Sequence, residues 1–122
     1  MNKVSLQGKE EEVRAALERV WRSGKSEAFA RLTTLERFLD EMRSGGIDQK
    51  SLSAALSAAH RLSGSLGMFG MEEGSSSAAE IEALLCHQTH PDVAVLAERM
   101  RRLRELMEDG PPLTRMQRKS AS

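Results

Sequence analysis

The sequence predicts an all-α fold: an antiparallel up-down four-helix bundle with an additional N-terminal helix. Three observations carry that expectation. Leu, Ala, Glu, Arg and Met dominate the 122 residues, and all five favour helix. Alternating runs of Val, Ile and Thr, the mark of half-buried strands, are absent. Glycines and prolines fall between stretches whose apolar residues recur every three or four positions, so they divide the chain into helical blocks. Short connections between long amphipathic helices make sequential helices antiparallel neighbours, and four of them build a bundle.

The blocks follow in order. The first is expected from about Lys9 to Arg22, with Val13, Ala16, Leu17, Val20 and Trp21 on one stripe and Gly24 ending it. The second runs from Ser26, as N-cap, to Arg43, with Phe29, Leu32, Leu35, Phe38, Leu39 and Met42 at helical spacing and Gly45-Gly46 as its stop. The third opens at Asp48, a good N-cap, and continues to about Gly67. The fourth covers about Met71 to Cys86 around Ala78, Ile81, Leu84 and Leu85. Pro91 suits the first turn of a fifth helix, which carries Val93, Leu96, Met100, Leu103, Leu106 and Met107 to about Glu108 before Gly110-Pro111-Pro112 terminates it. The expected organisation is an N-terminal tail over 1–8, a bundle over 9–109, and a disordered tail or linker over 110–122, where Arg115, Arg118 and Lys119 give weak support for an anionic partner.

Composition narrows the function. The formal net charge is zero, against the basic surplus of nucleic-acid binders. No segment reads as a signal peptide or a membrane span, and one cysteine, Cys86, permits no internal disulfide; a cytoplasmic protein is expected. Aromatic residues are scarce, so the core must be aliphatic. Cys86, His87 and His90 form a tight group of potential metal ligands, but no partner pair with zinc spacing accompanies them. No metal is expected there, and the group reads as a polar loop after a buried cysteine. Nor is there a phosphate-cradling glycine loop or an acid–base pair at catalytic spacing, so an independent enzyme is not expected.

One residue stands apart. On the third helix Leu52, Ala55, Leu56, Ala59, Leu62 and Leu66 form the buried stripe, and His60 lies about 110° from its centre at 100° per residue. Ser53, Ser57, Gly64 and Gly67 share its sector, while Arg61 points away from the core. A glycine inside a helix costs about 0.5–1 kcal/mol relative to alanine. At Gly64, one turn beyond His60, that cost is consistent with space cleared for an approaching molecule; Gly67 serves either packing or termination. An accessible neutral imidazole is a nucleophile, and with a reference pKa near ~6.5 much of it is neutral around pH 7. It needs no general base, and no carboxylate neighbours it in sequence. Leu66 and Phe69 read as core, whereas Met68 and Met71 read as exposed.

The string Ala59-His60-x-Leu62-x-Gly64 followed by Gly70 resembles the phosphoacceptor helix of histidine-containing phosphotransfer (HPt) domains. Ser63-Gly64-Ser65-Leu66-Gly67-Met68-Phe69-Gly70 is similar to a bacterial subgroup with a Gly-Ser-Leu-Gly-x-Phe-Gly segment, and Glu73-Gly74-Ser75 and Glu82-x-Leu84-Leu85 have counterparts there. The resemblance covers roughly residues 9–108. It implies a four-helix bundle acting as a phosphocarrier in a two-component phosphorelay, without catalytic machinery of its own. His60 would be the phosphoacceptor, exchanging a phosphoryl group with the aspartate of a response-regulator receiver domain or a hybrid kinase. Ser57, Arg61, Ser63 and Gly64 would form the phosphate environment, and Ser53, Gly67, Met68 and Met71 the docking surface. No cofactor is expected on this chain; Mg²⁺ would sit on the receiver. No nucleic acid, membrane or small-molecule substrate is expected. The chain departs from the family pattern at Ser63, where many members carry lysine. That departure keeps a second expectation open, a docking module for receivers or kinases that carries no phosphate.

Overall fold

The computed structural model describes residues 2–87 and 91–112, with side chains from Gly8 onward. Among the described residues there are four helices and no strand: α1 (Asn2–Arg43), α2 (Gln49–Met68), α3 (Glu72–His87) and α4 (Val93–Asp109). α1 packs against α2 and α4, and α3 packs against the same two, which closes a ring of four around one core. Leu32, Leu35, Leu62, Leu66, Ile81, Leu96, Met100, Leu103 and Met107 are the large side chains buried at its centre.

The first two expected blocks are one helix. α1 runs unbroken through Gly24 and Ser26, and it begins at Asn2, within the segment expected as a tail. Gly24 does not end a helix, and Ser26 does not cap one. The reason is packing: a Cβ at Gly24 would stand 2.6 Å from Cζ of Phe69. The Phe69 ring lies against the α1 backbone there, edge-on to Trp21 at 5.3 Å between centroids, and Phe29 is 6.2 Å from Trp21. The stripe expected over the first block is also corrected. Trp21 is buried and Ala16 and Leu17 are half-buried, but Val13 and Val20 are exposed.

The helix ends follow local rules. Asp48 caps α2, its carboxylate accepting from the Lys50 N–H at 3.2 Å. After α1, the Gly45 N–H donates to the Met42 carbonyl and the Gly46 N–H to that of Glu41, a Schellman closure made with Gly45 at φ +88°. After α2 the same closure recurs. Gly70, at φ +77°, donates to the Gly67 carbonyl, and the Met71 N–H donates to that of Leu66 at 2.9 Å. This closure buries Met71, because the residue after the left-handed position folds back onto the last turn of the helix. α3 begins at Glu72, one residue after the expected start, so Ser75, Ser76 and Ser77 lie inside it. Asp92 caps α4, so Pro91 precedes the cap and lies outside the first turn. Gly110, at φ +78°, ends α4 as expected.

Ion pairs brace the outer surface. Arg104 of α4 grips Glu36 of α1 with two hydrogen bonds of 2.8 and 2.7 Å while lying over the Phe29 ring. The Glu36 hydrogen bond holds that guanidinium above its ordinary pKa. Arg99–Glu80 and Arg102–Glu73 link α4 to α3, and exposed pairs of this kind each contribute about 0–1 kcal/mol. No described helix is long and apolar enough to cross a membrane. Arg115, Arg118 and Lys119 lie outside the described residues.

Candidate functional site

α2 buries Ala55, Ala58, Ala59, Leu62 and Leu66, and this stripe fixes what its other faces present. His60 projects from the outer face on the α3 side, with its side chain 76% exposed. Ser53, Ser57, Gly64, Gly67 and Met68 are exposed on the same outer face, Met68 to 78%. A Cβ at Gly64 would meet nothing within 4 Å, so the space one turn beyond the imidazole is open. Arg61 is exposed but lies about 100° around the helix from His60, towards α1. Leu66 and Phe69 are core, as expected. Met71 is a correction: it is 3% exposed, held inward by the turn after α2, and it cannot line a docking face.

The decisive neighbour is one the sequence reading lacked. Nδ1 of His60 lies 3.1 and 3.3 Å from the two carboxylate oxygens of Glu82 on α3. Glu82 is half-buried, between the core residues Ile81 and Leu85, so its helix fixes where it points. Sequence adjacency could not reveal a carboxylate 22 positions away; the signal was the Glu82-x-Leu84-Leu85 string, which places an acid beside a buried stripe. A carboxylate only accepts, so the proton of a neutral His60 sits on Nδ1. The lone pair is then on Nε2, the nitrogen turned away from Glu82.

Ser63 faces α3 as well. The Ser75 hydroxyl donates to the Ser63 carbonyl at 2.7 Å, and the two hydroxyls are 3.4 Å apart. Small residues let the helices approach here: a Cβ at Gly67 would sit 3.5 Å from the Ser75 hydroxyl, and one at Gly74 would sit 3.1 Å from Leu66. Ser63 therefore belongs to the seam between α2 and α3, whereas Ser57 and Gly64 flank the ring on the open side. On the opposite flank Arg31 of α1, absent from the sequence reading, donates to the Ser65 hydroxyl at 3.2 Å and to Glu27 at 2.7 Å, tying α2 to α1.

Among the described residues the other groups singled out in the sequence do not form a site. Cys86 is exposed, not buried as expected, because it falls on the outer side of the last turn of α3. His87 is exposed too, His90 lies outside the described residues, and no metal-binding group of three occurs among the described ones. A cleft of about 230 Å³ lies beyond the Gly70 turn, lined by Gly70, Met71, Gly74, Leu106 and Gly110, and His60 takes no part in it. The imidazole stands on a convex helical face, a shape that suits a protein partner better than a small molecule.

No match was found among curated proteins or among solved structures. The family model for the Hpt domain matches residues 19–109, about three quarters of the chain, a span that takes in most of α1 and all of α2, α3 and α4. Domains of this family serve histidine phosphotransfer in phosphorelays as carriers, and this chain belongs to the Hpt domain family.

Proposed function

We propose that Nε2 of His60 accepts a phosphoryl group from the aspartyl phosphate of a receiver domain and returns it to another. The observation that carries this reading is the exposed ring whose Nδ1 is engaged by Glu82 while its Nε2 side is open over Gly64. In the transfer the bond from phosphorus to the aspartyl oxygen breaks and a bond from phosphorus to Nε2 forms. The aspartate leaves as a carboxylate. The ring keeps its Nδ1 proton and becomes cationic, and the Glu82 carboxylate beside that proton offsets the charge as it develops. Positioning and charge neutralisation supply most of the catalysis in phosphoryl transfer. The receiver brings the aspartate and Mg²⁺, so this chain acts as carrier and not as catalyst.

Ser57 and Gly64 are the nearest elements of the phosphate environment, with Arg61 at its edge and Ser63 set back in the seam. Ser53, Gly67 and Met68 form the docking face, without Met71. The pairing of His60 with Glu82 and of Ser63 with Ser75 supports the antiparallel course of α2 and α3. A cytoplasmic setting fits a receiver partner.

The test mixes the chain with a radiolabelled phospho-receiver and Mg²⁺. Label that is labile to acid and stable to base should appear on the chain. Stable binding with no label would select the docking module and overturn the transfer reading. Two variants refine it. Glu82→Gln removes the carboxylate but keeps a polar group, and it should slow label acceptance about tenfold, the effect of about 1.4 kcal/mol on a barrier. Nitrogen NMR of the ring should show the Nδ1-protonated tautomer losing its dominance in the same variant; an unchanged rate and tautomer would remove Glu82 from the mechanism. Gly64→Ala should stabilise the fold by up to about 1 kcal/mol, since it gains helix propensity and meets no neighbour. Gly64→Trp should keep the fold yet lower label acceptance more than about tenfold. A tryptophan there that left the rate unchanged would mean that partners do not approach over this turn.

A further inference from the structure

The N-terminal part of α1 has a face that the bundle leaves uncovered. At 1.5 Å per residue the 42 residues of α1 span about 63 Å, against about 24–30 Å for the other three helices. Leu17 lies against Gly70 at the turn after α2, and Glu10, Glu11, Glu12, Val13 and Ala15 before it are all exposed. Val13 and Val20 are seven residues apart, so they share one face within about 20°, and they are 53% and 45% exposed. A single exposed valine is ordinary. Two at heptad spacing on a helix that outreaches its bundle form a seam, with Ala16 and Leu17 between them.

The charges along this seam choose its occupant. Lys9 and then Glu10, Glu11 and Glu12 precede Val13, a net negative stretch, whereas Arg14, Arg19, Arg22 and Lys25 follow it and outnumber Glu18, which is already paired to Arg22 at 3.0 Å. The segment is net acidic at one end and net basic at the other, which makes it complementary to itself when reversed. We propose that the N-terminal part of α1 pairs antiparallel with the same segment of a second copy of this chain, about a two-fold axis near Ala16. The rotation sets Val13 against Val20 of the second copy and Val20 against its Val13, an isologous contact that closes at two chains. Glu12 and Arg19 lie on one flank of the seam, about 20° apart around the helix, so the same rotation brings Glu12 to Arg19 of the second copy. A parallel pairing would stack the three glutamates on their own copies. Ala16 and Leu17 straddle the axis; Leu17 is turned to Gly70 of its own bundle, and the small Ala16 lets the two backbones approach. The seam is short, so the dimer is weak and concentration-dependent. It is independent of the phosphotransfer reading, because His60 lies on α2 and neither valine touches it.

Sedimentation equilibrium of the full chain tests the proposal. A reversible monomer–dimer equilibrium is expected, and Val13→Glu and Val20→Glu should each weaken it at least about tenfold. Both side chains are exposed in the monomer, so circular dichroism should show the helix content unchanged. Glu12→Arg and Arg19→Glu should each weaken the dimer, and the two together should restore it. In a Cys86→Ser background, Ala16→Cys should form a disulfide-linked dimer under mild oxidation. A chain that stays monomeric at every concentration, or a dimer indifferent to both valines, overturns the proposal. A dimer that the paired charge exchange fails to restore overturns the antiparallel arrangement.

Discussion

His60→Gln is expected to abolish acceptance of label from a phospho-receiver while leaving the fold intact. Glutamine has no nucleophilic nitrogen, because its amide lone pair is delocalised into the carbonyl, yet it is polar and of similar length. The fold should not register the change. The His60 side chain is 76% exposed, and its hydrogen-bond partner Glu82 can take a hydrogen bond from the glutamine amide. Surface substitutions of this kind usually fall within about 0.5 kcal/mol in stability. Denaturant unfolding should therefore match the parent, while the labelled band disappears. Residual label on His60→Gln with the same acid lability would place the acceptor on another histidine, and His87 would be the first to examine.

The second large effect is on stability. Gly24→Leu should destabilise the bundle by about 3 kcal/mol, the upper part of the range for overpacking a core. Helix propensity argues the other way, since leaving glycine gains up to about 1 kcal/mol in a helix interior. Packing wins here because the added Cβ already stands 2.6 Å from Cζ of Phe69, and that ring is not free to swing. Phe69 is 8% exposed and wedged edge-on against Trp21. A double-mutant cycle isolates the conflict. In a Phe69→Ala background, Gly24→Leu should do much less harm, because the truncated ring leaves room for the new side chain. Additive losses would show that the clash is not the cause. The contrast with Gly64, where a new side chain meets open space, separates two glycines that look alike in the sequence.

That contrast also marks what the sequence could convey. The aliphatic stripes of α2, α3 and α4 were legible, because burial on one helical face imposes a period that no other structure imitates. The exposed sector holding Ser53, Ser57, His60, Gly64 and Gly67 followed from the same geometry. Gly24 was misread because a glycine that ends a helix and a glycine that admits a ring leave the same letter. What decides between them is Phe69, 45 positions away. Met71 was misread because a three-residue turn obeys the closure at Gly70 and not the helical period. Glu82 was missed for a third reason: a pair between two helices depends on their relative register, which neither stripe specifies.

The solitary ring on the outer face of α2 has a consequence for traffic through the relay. With His60 as the proposed acceptor, donor and recipient would each present an aspartate to the same nitrogen and so compete for a single berth. The charged carrier has to release the first before it meets the second. Tight binding would then stall the flow, and an excess of either partner would throttle it. A carrier built this way works best with brief encounters, its throughput governed by how quickly each visitor departs.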